Sequence, residues 1–241
     1  MADQLGFLPE SSVEFLDEHL GAGGQGVVTS GRWTQPDGTQ VSVALKKLAD
    51  GATERETAQF QKEFAIHRTA SQRCPSACTL YGCVHRDSAL CLVMERYERS
   101  LHELLDSMRD PSDDSKRAKM PAEQAAIVAH QIAVGLSQLH GEGIVCNDLK
   151  PGNCLMDAED NIAISDFGLA VVVESSIARA TTRTGAAIGT VPYMAPEQFD
   201  SENFGKASTK TDVWALGCIL LELLTGEPPW AGRKAPNITF L

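Results

Sequence analysis

Two rhythms of apolar and polar positions divide the chain near Arg96. From Glu14 to Arg96, short β-branched runs alternate with turn residues. Val27-Val28 and Val41-Ser42-Val43-Ala44-Leu45 flank Pro36-Asp37-Gly38, the pattern of two strands joined by a turn. Thr79 to Val84 and Ala89 to Met94 make a second such pair around Arg86-Asp87-Ser88. One helical pattern interrupts them over about Glu54 to Ala70, where Phe60, Phe64 and His67 recur at i, i+4 and i+7. Beyond Arg96 the period lengthens. Pro121 opens a helix to about His140 whose buried stripe is expected to be Ile127, Val128, Ile132, Leu136 and Leu139. Thr209 to Thr225 reads as another helix, stopped by Gly226 and Pro228. Asp110 to Lys119, polar with Pro111 and two serines, is expected to be an exposed loop. A small β-rich lobe followed by a helical lobe is an α+β architecture.

Composition narrows the function classes. A chain of 241 residues fits one large domain or two small lobes, and 43% hydrophobic residues exclude wholesale disorder. The 21 Lys and Arg against 32 Asp and Glu give 21 − 32 = −11, which argues against nucleic acid or an anionic membrane as the main partner. Residues 1–15 carry Asp3, Glu10 and Glu14 with no Lys or Arg, unlike a secretory or transit signal. Val213 to Leu224 is too short to span a bilayer and contains Glu222, and neither common lipidation signature is expected. Seven scattered cysteines suit a reducing compartment, so the expected location is cytoplasmic, with the nucleus open as well. Cys74, Cys78 and Cys83 lack CxxC or paired-His spacing, and buried thiols are expected there rather than zinc.

Candidate chemistry sits in short segments. Gly21-Ala22-Gly23-Gly24-Gln25-Gly26 precedes Val27-Val28, a G-x-G-x-x-G-x-V pattern whose glycines let backbone amides approach phosphates. Strand-like residues follow it, so it is not a dinucleotide fingerprint; alone, a glycine-rich hairpin would look the same. Val43-Ala44-Leu45-Lys46 ends an apolar strand on an ammonium that wants a carboxylate, and Glu63, on the predicted helix, is the candidate. A lysine snorkelling from an edge strand is the plain alternative. Asp148, Lys150 and Asn153 share a short loop after the Gly143 helix stop, and Asp166-Phe167-Gly168 follows the strand Ile162-Ala163-Ile164. Asn153 and Asp166 are hard oxygen donors suited to Mg²⁺.

In this order and spacing the segments resemble the signature set of a eukaryotic-type protein kinase catalytic domain of the serine/threonine class. The resemblance runs from about Val13 onward and includes Ala195-Pro196-Glu197 and the Asp212-Val213-Trp214-Ala215-Leu216-Gly217 run. It implies a bilobal fold, with an N-lobe over 13–96, a C-lobe over 97–241 and an extension over 1–12. Gly21, Ala22, Gly23, Gly24, Gln25, Gly26, Val28 and Ala44 would then enclose ATP, with Met94 as gatekeeper and Glu95 to Tyr97 as the hinge. Lys46 would hold the α/β-phosphates and pair with Glu63. Asp148 would accept the proton of a protein hydroxyl, Lys150 would touch the γ-phosphate, and Asn153 and Asp166 would hold the metal. Asp212 would cap the catalytic-loop backbone; an ordinary first-turn helix aspartate is the alternative. Lys150 and Thr190 are the residues that resemble the serine/threonine pattern, and Leu80-Tyr81-Gly82-Cys83-Val84 is mildly similar to the tyrosine-kinase-like group.

The chain departs from that pattern in three places. Cys146-Asn147-Asp148 stands where His-Arg-Asp is usual, and neutral Asn147 cannot form the ion pair with a phosphorylated activation segment. Activity is therefore expected not to depend, through this contact, on phosphates at Ser175, Ser176, Thr181, Thr182 or Thr184. His67 and Cys146 fall where an apolar spine usually stacks with Leu80 and Phe167; His67 reads either as a pH-sensitive element or as a neutral histidine with a satisfied hydrogen bond. Only eleven residues follow Trp230, so the last helices of the family are expected to be missing and Glu197 to lack its usual arginine. The rival readings are a catalytically impaired pseudokinase-type ATP-binding scaffold, a non-functional fragment, and a small-molecule kinase of similar fold.

Overall fold

The computed structural model describes residues 6–23, 26–47, 53–86, 89–110, 113–117, 119–172 and 190–233. Its chain gathers into two compact units, residues 1–72 with 78–96 and residues 73–77 with 97–241.

The first unit is built on strands β1 (Val13–Gly23), β2 (Gly26–Thr34), β3 (Gln40–Lys47), β4 (Leu80–Arg86) and β5 (Ala89–Glu95), with helix α1 (Glu54–Arg73). The strands form one antiparallel sheet in the order β1-β2-β3-β5-β4. Period-two alternation sorts its residues. Val43, Leu45, Val84, Cys91 and Val93 bury on one side with Val13, and Leu92 and Cys83 on the other meet Phe60 of α1. The expected strand pairs are present, with Asp87 and Ser88 outside the described residues. The helix runs to Arg73, three residues beyond its periodic signal. Its buried face holds Phe60, Glu63, Ile66, His67 and Ala70, while Phe64 is half-buried. Gly31 lets β1 come close: a Cβ there would lie 2.5 Å from Leu45 Cδ1 and 2.7 Å from the Glu14 carbonyl oxygen.

The second unit carries helices α2 (Leu101–Ser107), α3 (Ala122–Gly141), the short α4 (Pro196–Phe199) and α5 (Ser201–Phe204), and α6 (Thr209–Thr225). Strands β6 (Arg99–Ser100), β10 (Cys154–Met156) and β11 (Ile162–Ile164) form a sheet in the order β11-β10-β6, and β9 (Ile144–Val145) pairs with β12 (Val171–Val172). Three expectations are corrected here. The buried stripe of α3 is Ala125, Val128, Ile132, Gly135, Leu136 and Leu139, while Ile127 is 54% exposed. A helix turns about 100° per residue, so Ile127 cannot share the face of Val128 and Ile132. Pro121 caps this helix from outside instead of opening it. The expected loop over 110–119 contains a hairpin, β7 (Arg109–Asp110) with β8 (Asp113–Arg117). Backbone pairing needs no apolar alternation, so nothing in that polar text announced it. Helix α6 ends on Gly226 in the left-handed region, φ 76°, whose N–H caps the Glu222 carbonyl. Among the described residues no helix is long and apolar enough to cross a membrane.

Candidate active site

In the first unit the ammonium of Lys46 donates to Glu63 Oε1 at 2.5 Å, joining β3 to α1. Both side chains are about nine-tenths buried. Charges so placed are stable only as a pair, because desolvation penalises either one alone. The strand register shows what surrounds this pair. Val28 lies opposite Lys46, and Ala44 lies opposite both Ser30 and Met94. Directly opposed residues share a face, so Val28, Ser30, Ala44, Lys46 and Met94 line one side of the sheet. The glycine-rich segment closes the β1–β2 hairpin: Gly21 pairs with Val28, Ala22 with Val27 and Gly23 with Gly26. Gly24 and Gln25 lie outside the described residues. Glu95 ends β5, its N–H donating to the Thr79 carbonyl, and Tyr97 follows, half-buried. One ring nitrogen of the buried His67, Nε2, donates to the Cys78 carbonyl at 2.8 Å, the satisfied arrangement of the two readings.

The second unit assembles the charged loop. Asp148 is 6% exposed and accepts three hydrogen bonds. The Thr190 N–H and hydroxyl donate to Oδ1 at 2.7 and 2.9 Å, and Lys150 Nζ donates to Oδ2 at 2.8 Å. Lys150 also donates to the Thr190 hydroxyl oxygen at 2.9 Å. An ionised carboxylate offers about four acceptor positions. Among the described residues three are filled, and the one that remains is on Oδ2, beside the ammonium. Asn153 Nδ2 donates to the Asp148 backbone oxygen at 2.8 Å, leaving the amide oxygen as the end able to meet a cation. Asp166 is half-buried with φ 63°, at the close of the β11 segment. These two residues supply the hard oxygen chemistry that Mg²⁺ takes, so the donor set fits that ion.

What fixes this loop is Asp212, 1% exposed in the first turn of α6. Its Oδ2 accepts the Cys146 N–H at 2.9 Å and His140 Nε2 at 2.8 Å, and its Oδ1 accepts the Asn147 N–H at 2.9 Å. Asn147 adopts φ 65°, a left-handed conformation that asparagine tolerates. Its Nδ2 donates to the Leu169 carbonyl at 3.1 Å, and its own carbonyl accepts Gln198 Nε2 at 2.8 Å. Cys146 is buried, and desolvation above all, then Asp212, pushes its thiol up, so it stays protonated. Glu197 is half-buried and accepts the Thr211 hydroxyl at 2.6 Å. Sequence reasoning missed His140 and Gln198; neither has a local signal, since their partners lie far along the chain. It also missed α2, which the pair Ser100 and Glu103 announces as a capping box. Cys74, Cys78 and Cys83 are buried free thiols. Ser175, Ser176, Thr181, Thr182 and Thr184 lie outside the described residues.

A lysine–glutamate pair under a glycine-rich hairpin and a threonine-braced aspartate loop are the parts of one enzyme class. The chain belongs to the protein kinase domain family, whose model matches residues 16–240. It is 35% identical over 230 residues, 94% of its length, to a probable serine/threonine-protein kinase of Dictyostelium discoideum, covering 16% of that protein. It is 28% identical over 229 residues to mitogen-activated protein kinase kinase 1c of Physcomitrium patens, 94% of this chain and 60% of the relative. A third relative, E3 ubiquitin-protein ligase KEG of Arabidopsis thaliana, is 29% identical over 212 residues, 81% of this chain and 12% of that protein. The chain thus spans less than two thirds of the length of each of these relatives.

Proposed function

We propose that this chain is a serine/threonine protein kinase domain that transfers the γ-phosphoryl group of ATP to protein hydroxyls. The observation that carries the reading is the acceptor position remaining on Asp148 Oδ2, in a carboxylate otherwise braced by Thr190 and Lys150. A serine or threonine hydroxyl donating there has its oxygen aimed at phosphorus. As that oxygen bonds to the γ-phosphorus, the bond to the β–γ bridging oxygen breaks, ADP leaves, and the hydroxyl proton passes to Asp148. Lys150 meets the charge of the phosphoryl oxygens, and Lys46, held by Glu63, meets the α/β-phosphates. The glycine-rich hairpin offers amides to the phosphates, and Val28, Ala44 and Met94 give the adenine an apolar face, with Glu95 and Tyr97 at its edge. Mg²⁺, held by Asn153 and Asp166, supplies neutralisation of phosphate charge when bound. Little covalent help is needed, because the reaction depends on positioning and charge.

Transfer of ³²P from Mg·ATP to a generic protein acceptor tests this. Wild type should label the acceptor, and Lys46→Met should lower the rate at least about 10²-fold, a rise of about 2.7 kcal/mol in the barrier. Soluble wild type that binds ATP and transfers nothing would favour the scaffold instead.

A second expectation concerns regulation. Asn147 joins the catalytic loop to the Leu169 carbonyl by a neutral hydrogen bond, where an arginine would carry a charge able to meet a phosphate. Replacing Ser175, Ser176, Thr181, Thr182 and Thr184 together by alanine should leave the rate within about threefold of wild type. A drop beyond about tenfold, roughly 1.4 kcal/mol, would show that a phosphate acts there.

A further inference from the structure

Strand β1 does not pair evenly with β2. Phe15 lies opposite Gly31 and His19 opposite Thr29, so Leu16, Asp17 and Glu18 face Ser30 alone. The register shifts again between His19 and Gly21, just before the glycine-rich turn. Extra residues on one strand bend it and redirect a side chain. Here the redirected side chain is Glu18. Its two carboxylate oxygens accept Arg96 Nη1 and Nη2, each at 3.0 Å, a bidentate fork. Arg96 stands immediately after Glu95, the last residue of β5. The ion pair therefore ties the outermost strand of the sheet to the segment leaving its interior.

The register also shows what the pair borders. Ser30 shares the sheet face of Val28, Ala44 and Met94. Its hydroxyl is fully buried and closes no well-formed hydrogen bond among the described residues, yet it lies against the Glu18 carboxylate. The pull of Ser30, then of Arg96, holds the Glu18 carboxyl below its ordinary range, so it stays ionised. Just before the irregular stretch, Phe15 is held under the Arg86 guanidinium at 4.2 Å. The strand is thus anchored just before its irregularity by Arg86 and within it by Arg96.

We propose that Glu18 and Arg96 form a positioning clamp that sets the distance between the glycine-rich hairpin and the end of β5 at Glu95, and so tunes nucleotide affinity. This rests on the kinase reading above, in which adenine lies on the Val28, Ala44 and Met94 face. Neither side chain needs to touch the nucleotide. Without the fork, the backbone pairing of β1 from Leu16 to Leu20 is an irregular ladder, and the hairpin that should cover the phosphates samples a wider range. That loss falls on binding, not on the chemical step, which depends on Asp148 and Lys150. An exposed pair contributes little in general, but a bidentate fork is the geometry in which it counts.

Binding of Mg·ADP by titration, together with KM for ATP and kcat for ³²P transfer, tests the clamp in the full chain. Glu18→Gln should raise the Mg·ADP Kd and KM by about fivefold, with kcat within about twofold of wild type. Glu18→Arg should raise them further, by like-charge repulsion with Arg96. The double exchange Glu18→Arg with Arg96→Glu should restore both constants to within about twofold of wild type. Thermal unfolding of all three should stay within a few degrees, separating a binding effect from a folding one. Unchanged Kd in the single variants, or no recovery in the double, overturns the clamp while wild-type binding keeps the kinase reading intact. Wild type that fails to bind Mg·ADP at all overturns both.

Discussion

Asp148→Asn should lower kcat for phosphoryl transfer by about 10²- to 10⁴-fold while leaving Mg·ADP affinity within about threefold. The argument is an acceptor count. The carboxylate receives Thr190 N–H, Thr190 hydroxyl and Lys150 Nζ, all between 2.7 and 2.9 Å, and among the described residues has one position to spare. An amide has half the acceptor capacity and two donors of its own. If its oxygen keeps the Thr190 pair, its nitrogen points two hydrogens at the Lys150 ammonium and at the substrate hydroxyl. If it flips, the Thr190 N–H loses its partner. The flipped amide oxygen can still accept a hydrogen bond, but a neutral amide takes up no proton, so in neither arrangement is there a base for the attacking hydroxyl. The loss belongs to the chemical step, because the nucleotide contacts proposed for Lys46 and the glycine-rich hairpin are unaltered. Single-turnover ³²P transfer with pre-bound Mg·ATP is the measurement. A variant retaining more than about a tenth of the wild-type rate would remove Asp148 from its assigned role.

The parts of this site that were legible in sequence are those whose meaning is local. Lys46 closes an apolar strand and Glu63 sits on the buried face of the following helix, and the expected pair is there at 2.5 Å. Asp148, Lys150 and Asn153 lie within six consecutive positions, and the loop does bring Lys150 and Asn153 onto Asp148. Gly226 announced the end of α6 because few other residues take φ 76° without strain. Partners distant in the chain were not legible. His140 reaches Asp212 across 72 positions, and only the packing of α3 against α6 brings them together. Gln198 meets the Asn147 carbonyl across 51. The irregularity at Leu16 to Glu18 was hidden for a different reason. A bulge changes register without changing composition, so Phe-Leu-Asp-Glu-His reads the same with or without it. The side of α3 was misjudged at Ile127 because an apolar residue beside a stripe looks like part of it until the 100° step is applied.

Replacing Asp212 should cost more stability than any single change in the catalytic loop it braces, since every donor it serves is internal. For Asp212→Asn we expect a loss of about 3–5 kcal/mol in unfolding free energy, read from urea transitions. The carboxylate is 1% exposed and binds two backbone N–H groups and the His140 ring. An amide in its place must turn its NH₂ toward Cys146 N–H and His140, or toward Asn147 N–H, setting donor against donor. A buried donor left unmet costs about 1–3 kcal/mol, and at least one is unavoidable. His140→Ala removes only one of the three donors and leaves both backbone bonds, so it should cost about 1–2 kcal/mol. The double variant should then fall short of the sum, because His140 has no interaction with Asp212 left to lose. Catalysis follows the same wiring. Asn147 at φ 65° immediately precedes Asp148, so freeing its N–H lets the aspartate drift from Thr190 and Lys150. A displacement of about 1 Å at a reacting group costs about 10²-fold. Asp212→Asn should therefore lower kcat by that order even where the protein is still folded, with KM for ATP nearly unchanged. A stable variant with full kcat would reduce Asp212 to an ordinary first-turn helix aspartate.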